Sequence, residues 1–238
     1  EGTQQPAAEG GTVTRSGHTR VKICGVTTLD DALACARAGA DMLGLNFYPK
    51  SPRYLPPERA RTLAEGLRTA LGDGCPLLVG VFVNESAQHI AAVMALAGLD
   101  LAQLSGDEPE DVLAGLAGRA IKAIRPRSQD EATGQAARFL AHAPREEGLP
   151  ALLLDAYHPD LYGGTGEQAS VDVARAVMAA APRVILAGGL TPDDVADRAR
   201  AIRPWGVDVA SGVEDGQPGR KDPARVRAFI AAVRAAEG

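Results

Sequence analysis

From Val21 onward, short β-branched or leucine-rich runs alternate with longer Ala/Leu/Arg stretches of helical period, and the cycle repeats eight times. The apolar runs are Val21–Cys24, Met42–Phe47, Leu77–Val83, Leu101–Leu104, Ala120–Ile124, Ala151–Asp155, Val184–Ala187 and Val207–Ala210. Helices are predicted to begin near Leu29, Pro57, Ser86, Pro109, Gln129, Val171, Pro192 and Pro223, several opened by the Pro or Ser that favours a helix start. Strands apolar on both faces belong in a parallel sheet covered by helices, and eight of them can close without leaving edges to protect. The expected fold is α/β, a (β/α)8 TIM barrel, with a doubly wound open sheet as the alternative. A chain of 238 residues with 45% hydrophobic content fits one such barrel as a single domain, 21–238.

Residues Glu1 to Arg20 are rich in Gly, Thr, Gln and Ala without hydrophobic period, so they read as a disordered tail outside the barrel. A formal charge of −5, with no cluster of Lys and Arg interleaved with aromatics, gives no field for a phosphate backbone, and no nucleic-acid partner is expected. No apolar run approaches the roughly 18 residues needed to span a bilayer, so no membrane partner is expected either. Cys24, Cys35 and Cys75 form neither an even set nor a CxxC pair, which argues against a disulfide framework and fits a reducing, cytoplasmic setting. His18, His89, His142 and His158 show no ligand-like spacing, and no metal is assigned.

In a barrel of this kind, chemistry sits where strands run out into the loops that enter the helices. Cys24 ends the first run and precedes Gly25, which puts a sulfur at the mouth, where a thiolate can act as base or nucleophile. Asp155 ends Ala-Leu-Leu-Leu at the rim of a low-dielectric interior, a setting that favours keeping a proton. Arg53, in a loop stiffened by Pro49 and Pro52, offers a guanidinium fork suited to a carboxylate. Ser105-Gly106 follows the fourth run. Three glycine loops follow the last three: Gly163-Gly164-Thr165-Gly166, Gly188-Gly189 and Ser211-Gly212. Backbone N–H groups freed of side chains can approach an anion directly, so these loops read as a phosphate grip, helped by a helix N-terminus beyond the eighth run.

Val21-Lys22-Ile23-Cys24-Gly25, Ser51-Pro52-Arg53-Tyr54, Asp155 with its Gly-Gly-Thr-Gly, Ala187-Gly188-Gly189-Leu190 and Val207-Asp208-Val209-Ala210-Ser211-Gly212-Val213-Glu214 occur in one order. Together they resemble the phosphoribosylanthranilate isomerase family, from about Val21 to the C-terminus. The resemblance implies an Amadori rearrangement in tryptophan biosynthesis, with no metal or organic cofactor. Its substrate would be a small-molecule phosphosugar, bound by a monomer or a homodimer. It implies Cys24 as general base, Asp155 as general acid, and Arg53 at the anthranilate end. Asp208 would lie near the sugar hydroxyls, and Gly163, Gly164, Thr165, Gly166, Gly188, Gly189, Ser211 and Gly212 would hold the phosphate. One departure stands out. The family's fourth strand usually ends Gln-Leu-His-Gly, and here it reads Gln103-Leu104-Ser105-Gly106, so the ligand contact at Ser105 is expected to be weaker or water-mediated.

Two rivals share parts of this pattern. The histidine-pathway isomerase resembles a duplicated half-barrel with aspartate at the first strand end, which Cys24 and the single glycine-rich grip argue against. A noncatalytic phosphosugar-binding barrel would need the glycine loops without Cys24 and Asp155 together.

Overall fold

Strand and helix alternate throughout the computed structural model, which describes residues 17–156 and 164–237, with the backbone alone for 164–169. The order is β1 (Arg20–Cys24), α1 (Leu29–Ala38), β2 (Met42–Asn46), α2 (Pro57–Leu71), β3 (Leu77–Phe82), α3 (Ala87–Ala97), β4 (Leu101–Leu104) and α4 (Glu110–Gly115). It continues with β5 (Ala120–Ile124), α5 (Gln129–Leu140), β6 (Leu152–Asp155), α6 (Gly164–Ala180), β7 (Val184–Ala187), α7 (Val195–Ile202), β8 (Gly206–Val209) and α8 (Pro223–Ala235). Each strand pairs in parallel with the next, and β8 returns to β1 with Lys22 opposite Asp208, so the sheet is a closed barrel and not a doubly wound one.

Strand alternation divides the core in two. One set of side chains, including Ile23, Leu43, Leu78, Leu104, Leu154 and Val207, packs outward against helices. A second, separate cluster of Met42, Val79, Leu101, Ile121, Ala123, Leu153, Ile185 and Ala187 fills the barrel interior. The inward positions nearer the strand C-termini change character: Cys24, Asn46, Gln103, Asp155 and Asp208 share the parity of the apolar cluster but carry polar atoms. The interior thus has an apolar floor and a polar mouth.

Local chemistry sets the element ends. Thr28, Ser86, Ser128 and Asp222 each cap a helix by accepting a backbone N–H, from Asp31, His89, Glu131 and Ala224 respectively. Two starts differ from the sequence expectation. α6 begins at Gly164 and not near Val171, so Gly164, Thr165 and Gly166 form a helical turn instead of a loop. Glycine is a poor helix former in an interior, but the first-turn N–H groups have no intrahelical acceptor to lose, so the sequence propensity misleads there. α7 begins at Val195, after Asp194 has taken the N–H and hydroxyl of Thr191.

At the opposite pole the strand N-termini are tied by Asp41. Its carboxylate accepts from the Val21 N–H at 2.8 Å and pairs with His18 at 3.0 Å, Arg20 at 3.1 Å and Arg234 of α8 at 3.5 Å. β1 starts at Arg20, and Thr19 donates to Glu237 at 2.6 Å, so the last residues assigned to the tail belong to the folded barrel. Residues 1–16 lie outside the described residues.

Candidate active site

A cavity of about 470 Å³ opens at the C-terminal mouth, lined on one side by Gln103, Ser105 and Arg125, on another by Asp155, Gly188 and Gly189, and on a third by Asp208 and Ser211. Most of the residues singled out at the ends of β4, β6, β7 and β8 therefore share one hollow. Gly188 and Gly189 carry φ of +112° and +70°, a backbone path that L side chains rarely follow, which lets the chain after β7 fold flat against the cavity wall. Gly212 packs against the Leu190 carbonyl, joining the loops after β7 and β8. The element directly after β8 is one 3-10 turn, Ser211–Val213, and α8 starts only at Pro223. So brief a turn has little dipole, and an anion there would be held by individual N–H groups. Gly163 lies outside the described residues, while the backbone of Gly164, Thr165 and Gly166 opens α6.

Cys24 sits on β1 beside Asp208 and Lys22. Its neighbour on β2 is Gly44, where a Cβ would stand 2.7 Å from the Cys24 sulfur and 3.1 Å from its Cα. The missing side chain makes the room that the thiol occupies. Burial pushes the Cys24 thiol up, opposed chiefly by the positive charge of Lys22. Lys22 is itself fully buried and donates to Asp208 Oδ1 at 2.7 Å. Burial works against the Lys22 ammonium, but Asp208 and Cys24 outweigh it and raise its pKa.

Asp155 is not enclosed by apolar groups as the sequence suggested. Its side chain is 27% exposed, and it accepts from Arg125 Nε at 3.0 Å. Arg125, the residue after β5, also donates to the Ser105 carbonyl at 3.1 Å, so it bridges the ends of β4 and β6. Gln103 Nε2 donates to Ser105 Oγ at 3.1 Å, and Gln103 Oε1 is buried with no partner among the described residues.

Arg53 is not a solvated charge. Its Nε and Nη2 each lie 2.7 Å from a carboxylate oxygen of Glu214, a bidentate pair across 161 residues. Glu214 also accepts from the Gly219 N–H at 2.9 Å and Lys221 Nζ at 3.1 Å. Burial disfavours the Glu214 carboxylate, yet the bonds from Arg53, Gly219 and Lys221 prevail and hold its pKa at about 2. Arg53 faces a second hollow, of about 570 Å³, that shares Ser211 with the first.

Sequence reasoning assigned no role to Lys22, Gln103, Arg125 or Glu214. Arg125 was within reach of the strand-end rule, which applies to β5 as well as to its neighbours. Lys22 also carried a signal: a charge two residues before Cys24 in an apolar strand has to share its inward face. Glu214 gave no local sign of its distant partner.

A closed parallel barrel whose C-terminal mouth gathers two carboxylates and a guanidinium around one cavity, with a thiol beside one of the carboxylates, has the architecture of a (β/α)8-barrel enzyme. The family model described as N-(5'phosphoribosyl)anthranilate (PRA) isomerase matches residues 21–232. Over 216 residues the chain is 44% identical to the N-(5'-phosphoribosyl)anthranilate isomerase of Geobacter metallireducens, covering 91% of this chain and 99% of that one. Its fold matches the crystal structure of phosphoribosyl anthranilate isomerase from Thermotoga maritima with a TM-score of 0.76 at 35% identity, over 91% of this chain and 99% of the other. A further crystal structure, of the isomerase in complex with reduced 1-(o-carboxyphenylamino)-1-deoxyribulose 5-phosphate, matches at a TM-score of 0.71 and 33% identity, covering 91% and 99%. The chain belongs to the N-(5'-phosphoribosyl)anthranilate isomerase family, enzymes of tryptophan biosynthesis.

Proposed function

We propose that the chain isomerises N-(5'-phosphoribosyl)anthranilate to 1-(2-carboxyphenylamino)-1-deoxyribulose 5-phosphate by general acid–base catalysis, with Asp155 as acid and Cys24 as base. The observation that carries this reading is the placement of the two groups. They face inward from β6 and β1 on different sides of the mouth, and Asp208 lies beside Cys24 while lining the same cavity as Asp155. Asp155 gives its proton to the furanose ring oxygen; the C1–O bond breaks and the anilino nitrogen's pair forms the iminium. Cys24, as thiolate, takes the C2 proton; the C–H pair becomes the C1–C2 double bond as the iminium pair returns to the anilino nitrogen, and the resulting enolamine tautomerises to the ketone. A proton donor and a proton acceptor suffice, with no covalent intermediate.

The other residues orient the ligand in this reading. Gly188, Gly189, Ser211, Gly212 and the first turn of α6 receive the phosphate through backbone N–H groups. Asp208 and Ser105 meet sugar hydroxyls. Arg53 uses Nε and Nη2 on Glu214, so Nη1 is the nitrogen that meets the anthranilate carboxylate. Arg125 holds the Asp155 carboxyl toward the cavity.

Turnover is followed by the loss of anthranilate fluorescence. Cys24→Ala and Asp155→Asn are each expected to lower kcat by at least about 10²-fold with an unchanged circular dichroism spectrum, since each deletes one proton-transfer group. Near-native turnover in either variant would remove that residue from the mechanism.

A further inference from the structure

Lys22 is an expensive residue to place inside a barrel. It is fully buried, on the inward face of β1, level with Met42 of the aliphatic floor. Its ion pair with Asp208 at 2.7 Å explains how the charge is tolerated, but not why it is there, because apolar side chains of similar volume often match a buried pair in stability. The register supplies a reason. Lys22 and Cys24 are two residues apart on one strand and share its inward face, which brings the ammonium that pairs with Asp208 near the Cys24 sulfur. Asp208 in turn faces the cavity.

We propose that Lys22 is a positioning residue for the reaction, a buried positive charge on the inward face of β1 that eases loss of the Cys24 proton. The inference rests on Cys24 being the base. Around the sulfur stand Lys22 from β1, Asp208 from β8, Lys221 from the segment before α8 and Arg53 from the loop after β2, while β2 itself contributes Gly44 and no side chain. Burial pushes the thiol toward its protonated form, and of the cations opposing this Lys22 acts most strongly. Asp208 acts the other way on the thiol while keeping Lys22 charged. Asp208 therefore acts on the base in two opposing ways, directly and through Lys22, whereas Lys22 acts in one, so removing Lys22 is the change with a defined direction.

The test is the pH dependence of iodoacetamide alkylation of Cys24 in the free enzyme, resolved by mass spectrometry of the Cys24 peptide so that Cys35 and Cys75 do not contribute. Lys22→Met is expected to raise the midpoint by at least about one pH unit, and Lys22→Arg, which keeps the charge, to hold it nearer native. An unmoved or lowered midpoint in Lys22→Met overturns the proposal, as does a midpoint in Lys22→Arg that moves as far as in Lys22→Met. Should Lys22→Met fail to fold, Lys22→Gln decides, with the same direction expected. Turnover of Cys24→Ala separates the two readings. If that variant stays active while the Lys22→Met midpoint rises, Cys24 is not the base but Lys22 still governs its ionisation. If it is inactive while the midpoints stand still, the base assignment holds and the role of Lys22 falls.

Discussion

The side chain that Gly44 lacks decides where the Cys24 sulfur can stand. A methyl there would lie 2.7 Å from the sulfur and 3.1 Å from the Cys24 Cα, and backbone cannot rotate aside as a side-chain tip can. Gly44→Ala is therefore expected to lower kcat by about tenfold or more, since displacing a reacting group by about an ångström is costly. A kcat within twofold of native would show that β2 can shift without disturbing the base. Ser105 makes the opposite case, a site where added bulk is tempting because the family usually carries histidine. Here Gln103 donates to the Ser105 hydroxyl and Arg125 to its carbonyl. Ser105→His is expected to lower kcat/KM several-fold, because an amide already short of one partner would lose the other, a cost of about 1–3 kcal/mol. A gain in kcat/KM would mean that Gln103 re-pairs with the imidazole. At this scale the sequence showed which positions end strands, but not which of those side chains are tethered: Cys24 and Asp155 were legible as strand ends and Asp208 through the family resemblance, while the pairing of Lys22 with Asp208 and of Arg125 with Asp155 emerges only when strands are set side by side.

Between elements, Glu214 acts as a clamp. It stands just past β8 and grips the Arg53 loop that follows β2, while Lys221 and Gly219 secure it from the segment leading to α8. Its carboxyl is held at about 2 against an ordinary value of 4.5. Because the folded value is the lower one, the clamp contributes its full stability above the ordinary value, and that contribution fades as pH falls through about 2. Glu214→Gln should accordingly lower Tm relative to native at neutral pH, with the gap narrowing between pH 4.5 and 2. A gap independent of pH across that interval would mean that the charge contributes nothing to the clamp. Near neutrality the same variant should raise KM with kcat little changed, since it loosens the loop proposed above to meet a nonreacting part of the substrate. The elements themselves followed closely from hydrophobic period, and β4, β5 and β7 have the predicted bounds. What misled was punctuation: glycines at the start of α6 read as loop, and the clamp spans a sequence distance that no local pattern reveals.

Across the whole molecule, the two poles of the barrel are built from different materials. The strand N-termini are gathered by Asp41, with β1, His18 and α8 converging on one carboxylate, whereas the strand C-termini surround the cavity. Asp41→Ala leaves a strand N–H and two guanidinium groups without this acceptor, so it should cost about 1–3 kcal/mol in urea unfolding while kcat and KM stay within twofold. A marked loss of turnover at preserved fold would show that strain travels the length of the strands. Between the poles lies the aliphatic floor of Met42, Val79, Leu101, Ile121, Leu153 and Ile185. Dense hydrocarbon neither accepts protons nor relays charge, so this layer insulates the reacting groups from the salt links beneath. One consequence concerns how such a protein can change over generations. Replacements that harden or soften the lower pole, to suit a warmer or colder habitat, can accumulate without retuning the chemistry above, and the mouth can be refitted for another ligand without rebuilding what holds the barrel shut.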